Sequence, residues 1–182
     1  MKQYQFREKC PKRTFKGHFK NYRRYKDELA KDFNHHCGYT HCCDKYFGGI
    51  KTFQIDHFKP CSFYPQLKNE YNNLVYCCSS VNRLKSNDDN SNYLDPCSED
   101  YNIHFGRRHD GRIYGKTKEG EYMVRKLSLN LSLYAIFWNL ERLDLRISLL
   151  EQKEKDNPEL CEITNKCFRL FRSYLNRASG LL

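Results

Sequence analysis

The stretch "QIDHFKP", residues 54–60, sets an acid and an imidazole side by side just ahead of a proline. Neighbouring side chains on a strand leave it on opposite faces, so Asp56 and His57 look in different directions. Asn73 follows sixteen residues after His57, and Asn82 nine after that, inside "VNRLKSND". An imidazole changes charge near neutral pH, which suits His57 to moving a proton. A carboxylate and two amides add oxygen donors that can hold backbone groups or a hard cation. A lone Asp-His pair would read as a strand end with its asparagines in ordinary turns. Four such positions in order, followed by Lys85 in an N-x-x-K pattern, point instead to one site.

This order, "IDHFKP", "YNNLVY" and "VNRLKSND", resembles the HNH endonucleases, whose ββα-metal core is a two-stranded ribbon packed on one helix. The resemblance covers residues 37–88. It is close to the HNH domain of RNA-guided CRISPR nucleases, which also ends in N-R-x-K. The later "YLDPCSEDYNIHF" and "LSLN" are similar to the tail of stand-alone bacterial HNH proteins, several of which serve anti-phage systems such as Septu beside an ATPase. The resemblance implies an α+β fold and hydrolysis of DNA phosphodiester bonds. It implies that His57 deprotonates the attacking water and that Asn73 bonds loop backbone to orient the imidazole. Asp56 and Asn82 would hold one hard divalent cation, Mg²⁺ or Mn²⁺. Arg83 and Lys85 would meet phosphates. DNA is the implied partner, with an ATPase subunit of a defence complex or a second copy of the chain beside it. An HNH-like module that grips nucleic acid without cutting it, or an adaptor subunit, is the alternative.

The site needs a strand ending at His57, a second strand near "NLVYCC" and a helix carrying Asn82. Around this core, residues 35–90, the chain divides into a basic arm with a short helix (1–34), a loop and hairpin (91–121) and a helical region (122–182). The arm's helix is expected in "NYRRYKDELAKDF", where Tyr22, Tyr25, Leu29 and Phe33 have helical spacing. Asp110-Gly111 signals the hairpin turn. A helix over 131–153 carries one apolar stripe of Leu133, Phe137, Leu140 and Ile147, and another of Tyr134, Trp138, Leu145 and Leu149. So wide an apolar surface calls for burial on two sides. Asn157 and Pro158 mark the start of a last helix with Ile163, Cys167, Leu170, Phe171 and Tyr174 on one face.

The chain has 182 residues and a net charge of +10, of which residues 1–33 carry +7. A basic arm on a nearly balanced body fits a polyanionic partner, nucleic acid above all. Its rings, in "QYQF" and "RTFKGHFKNYRRY", suit either base stacking or core packing. No apolar h-region opens the sequence and no apolar run could span a bilayer, so a cytoplasmic protein with reduced thiols is expected. Of ten cysteines, Cys37 and Cys78 fall where HNH cores place two C-x-x-C zinc knuckles, but Thr40 and Val81 replace their partners. Structural zinc is therefore not expected there, although His35, His36, His41, Cys42, Cys43 and Cys77 lie near enough to substitute at irregular spacing. His104 and His109 are read as structural or surface histidines.

Overall fold

The computed structural model describes residues 4–154 and 158–180. Its elements, in chain order, are α1 (Lys26–Asp32), β1 (Phe53–His57), β2 (Leu74–Cys78), α2 (Ser79–Lys85), α3 (Tyr101–His104), β3 (Phe105–Arg107), β4 (Ile113–Gly115), α4 (Lys118–Lys126), α5 (Ser132–Glu154) and α6 (Pro158–Ser179). The fold is α+β: two separate antiparallel ribbons, β1–β2 and β3–β4, among helices.

The first ribbon and α2 form a ββα unit. β1 pairs with β2 in the register Phe53↔Cys78, Asp56↔Val75 and His57↔Leu74. All five residues of β2 are buried. A strand covered on both faces reads as a continuous apolar run, which is why "LVYCC" shows no alternation. β2 passes straight into α2, and α2 ends at Ser86, whose backbone is left-handed.

The N-terminal arm is strapped across the body. Phe6 is fully buried and lies tilted against Tyr101 and Phe105. Phe15 and Phe19 stack at 5.3 Å and pack around Tyr25. The arm's rings thus belong largely to the core. Two of its cations are spent internally as well. Arg7 donates to the carbonyls of Pro96 and Glu99, and Arg13 forms a two-pronged pair with Asp95 while also donating to the Leu74 carbonyl. Lys9, Lys12, Lys16, Lys20, Arg23, Arg24 and Lys31 remain exposed.

The second ribbon turns at Gly111, whose φ of 91° suits glycine, and a Cβ there would meet Trp138 and Asn139 of α5. Thr117 caps α4 by accepting from the Gly120 amide. Tyr134, Ile136, Phe137 and Leu140 bury the first half of α5 in the core. α6 packs along α5 and brings Ala178 back to that core. The start of α6 at Pro158 agrees with the sequence, whereas Asn157, its expected cap, lies outside the described residues. Among the described residues no helix is long and apolar enough to cross a membrane.

Candidate active site

His57 is the last residue of β1, half-buried, with its ring edge-on to Tyr22 at 4.6 Å. Its Nε2 lies 2.9 Å from the Lys68 carbonyl oxygen. A carbonyl can only accept, so Nε2 carries the proton of the neutral ring, and the lone pair is left on Nδ1. That tautomer is the one a general base needs, with a free acceptor and the opposite nitrogen anchored.

Asn73 is buried at the head of β2 and clamps the loop between the strands. Its Oδ1 accepts from the Lys59 amide at 2.8 Å, and its Nδ2 donates to the carbonyls of Lys59 (2.9 Å) and Leu67 (3.4 Å). Its own carbonyl accepts from the Phe58 amide. Asn73 does not touch the imidazole. It holds Leu67, the neighbour of the residue whose carbonyl contacts His57.

Asp56 faces the other way, toward α2, and is only 4% exposed. Its Oδ2 accepts from the Tyr39 hydroxyl at 2.6 Å, and the Lys85 ammonium lies 3.2–3.3 Å from both of its oxygens. Lys85 is 0% exposed and donates also to the His57 carbonyl at 2.9 Å. Burial pushes the Asp56 carboxyl above its ordinary pKa, against the pull of Lys85 and the Tyr39 hydroxyl. The expectation that Lys85 meets phosphate is corrected here. The ammonium of a lysine with no exposed surface neutralises a carboxylate inside the protein and cannot reach a nucleic-acid backbone. Arg83, on the outer side of α2, is exposed and free to do so.

Asn82 is half-buried on α2, where its Nδ2 donates to Gln54 Oε1 at 2.7 Å. Its Oδ1 has no hydrogen-bond partner among the described residues and could serve a cation. Asp56 does not fit that role as it stands, because Tyr39 and Lys85 occupy its oxygens and an ammonium already supplies the positive charge. Asp56 and Asn82 in this arrangement do not make a divalent-cation site.

Cys37 and Cys78 do meet, with sulfurs 3.9 Å apart in the core. Burial raises the Cys37 thiol, but its hydrogen-bond contacts with Cys78 and Thr40 outweigh that and hold it below its ordinary pKa, while the contact with Cys37 and burial push Cys78 well above its own. Among the described residues, no third histidine, cysteine or carboxylate donor completes a metal-ligand cluster with them. His104 bonds the Thr117 hydroxyl at 2.9 Å, and His109 is exposed on the hairpin.

Three partners of the site escaped the sequence. Tyr39 sits in the knuckle "CGYT", Tyr22 belongs to the arm, and the Lys68 carbonyl is a backbone group with no side-chain signature. Only spatial proximity finds them. Residues 44–90, a segment that holds β1, β2 and α2, match the family model of the HNH endonucleases. No curated protein and no solved structure matches the chain.

Proposed function

We propose that the chain is an HNH-type endonuclease that hydrolyses DNA phosphodiester bonds, with His57 as general base. The observation that carries the reading is the His57 Nε2 contact with the Lys68 carbonyl, which assigns the proton to Nε2 and leaves Nδ1 without a hydrogen-bond partner among the described residues, on a ββα unit inside the segment that matches HNH endonucleases. In the proposed reaction, water approaches Nδ1 and gives up its proton as its oxygen attacks phosphorus; the bond from phosphorus to the 3′ oxygen breaks, and the departing alkoxide takes a proton from solvent. The imidazolium that forms keeps its Nε2–H on Lys68. Tyr22 packs edge-on against the ring, and the exposed cations Lys20, Arg23 and Arg24, its near neighbours in sequence, would take phosphate charge. HNH endonucleases typically use divalent metal ions, and Mg²⁺ is the ion proposed. Accommodating it requires Asp56 to leave its pair with Lys85.

The resemblance of the tail to stand-alone HNH proteins supports the finer reading of an effector in bacterial anti-phage defence, soluble in the cytoplasm. Its partner, an ATPase subunit or a second copy, would dock on the exposed apolar residues of α5 and α6. The closed state of Asp56 favours a second reading, a nucleic-acid-binding module that does not cut.

Plasmid cleavage with and without Mg²⁺, on wild type and His57→Ala, decides between them, with an RNA substrate run alongside. Metal-dependent cutting lost in His57→Ala supports the nuclease. Binding without cutting, at any metal concentration, supports the second reading.

A further inference from the structure

We propose that His36, Cys43 and Glu141 form a zinc site that clasps the turn ahead of β1 to α5. One donor atom from each of the three lies within 4.8 Å of the others. Two of them are set by backbone. His36 and Cys43 face each other across an isolated antiparallel bridge, closed further by the Cys37 amide on the Cys42 carbonyl at 3.0 Å. The third comes from α5, which already docks on this turn through Lys45–Asp144 at 2.7 Å and through Phe47 edge-on to Phe137 at 4.6 Å. The clasp therefore joins surfaces that are in contact without it.

The hydrogen bonding of His36 points to a cation. Its Nδ1 contacts the Asn34 carbonyl, which can only accept, so Nδ1 carries the proton. Its Nε2 lies 2.7 Å from Glu141 Oε1, a contact that either a second ring proton, which Glu141 favours, or a metal ion would satisfy. Two acceptors at that distance need a positive charge between them. A second proton on His36 would serve the carboxylate and do nothing for the neighbouring sulfur. A metal serves all three. Thiolate, imidazole and carboxylate together are a zinc donor set, and a backbone carbonyl on the other ring nitrogen is how ligating histidines are commonly held.

Tetrahedral zinc sets its nitrogen and oxygen ligands about 3.3 Å apart, so the side chains need shift by only about an ångström. The thiolate and carboxylate neutralise the ion. The fourth position falls to water, beside a groove of about 870 Å³ that His36, His41 and Glu141 help line. Among the described residues, the cluster of three donors does not include Cys37 or Cys78. Zinc here would tie the loop that carries Tyr39, the hydrogen-bond donor to Asp56, to the C-terminal helices.

The full chain, purified without added metal, is the material for the test. Elemental analysis should find about one zinc per chain, lost in Cys43→Ser and Glu141→Gln but kept in Cys37→Ser and Cys78→Ser. Co²⁺ added to the zinc-depleted protein should produce a sulfur-to-metal charge-transfer band, absent in Cys43→Ser. If Cys43→Ser does not fold, Glu141→Gln and the wild-type Co²⁺ titration still decide. Less than about 0.1 zinc together with no thiolate band leaves a histidine–carboxylate ion pair and overturns the site. Zinc that survives Cys43→Ser and disappears with Cys37→Ser moves the metal to the knuckle and overturns it equally.

Discussion

At the residue scale the centre depends on which groups can still change partners. Nδ1 of His57 can, and removing the ring should lower DNA cleavage by about 10² or more while leaving DNA binding intact, as measured by plasmid nicking beside a gel-shift titration. Asp56 cannot move without Lys85. Replacing Lys85 with methionine strands a buried carboxylate and the His57 carbonyl, and should cost about 3–5 kcal/mol in urea unfolding. A lysine that served phosphate would give the opposite result, weaker DNA binding at unchanged stability. Metal dependence tests the same network from outside: EDTA should abolish cleavage, Mg²⁺ or Mn²⁺ should restore it, and Asp56→Ala should not recover at ordinary Mg²⁺. Full activity in EDTA would exclude a metal-dependent reaction.

At the scale of elements, one carboxylate links the arm, α1 and the loop ahead of β2. Asp32, at the end of α1, accepts from the Thr14 amide and hydroxyl at 2.6 and 2.5 Å and from the Tyr71 hydroxyl at 2.8 Å. Partial burial raises its pKa, but these hydrogen bonds outweigh that and hold it below the ordinary carboxylate value. A depressed folded pKa means that the stabilisation is present in full above the unfolded value and is lost as pH falls through the folded one. Thermal melts should therefore show the contribution at neutral pH and its loss below about pH 3.9. Asp32→Asn should lower Tm at pH 7 and flatten that acid dependence. An unchanged acid limb would mean that the Asp32 hydrogen bonds add nothing to what the arm's rings, Arg7 and Arg13 already supply.

At the scale of the whole molecule, α5 and α6 answer the need for a second covering surface only in part. α6 covers α5 along its length and brings Cys167 and Ala178 into burial. Leu149 nevertheless remains 60% exposed and Leu170 53%. Such residues cost little when changed in place, within about 0.5 kcal/mol. Leu149→Glu with Leu170→Glu should leave the melting temperature unmoved and reduce self-association in light scattering, or capture of an ATPase partner, if this face docks as proposed. Association unchanged by both substitutions would remove the face from the proposal. Deleting residues 155–182 is a harsher probe, because it also uncovers α5.

The two strands were legible in the chain because "KTFQI" and "NLVYCC" leave a local mark, and the structure has them as Phe53–His57 and Leu74–Cys78. That they make a ββα unit with His57 closing the first strand was implied by the resemblance to HNH endonucleases. The two apolar stripes of α5 likewise announced burial on two sides before any partner was known. Tertiary structure alone decided what each group meets. It turned Lys85 inward onto Asp56, placed Tyr39 and the Lys68 carbonyl on the two halves of the Asp-His pair, and sank the rings of a basic arm into the core. The reason is physical. Periodicity and residue type record which face of an element is apolar, but a hydrogen bond between residues far apart in sequence depends on how the elements are docked, and no local pattern encodes that.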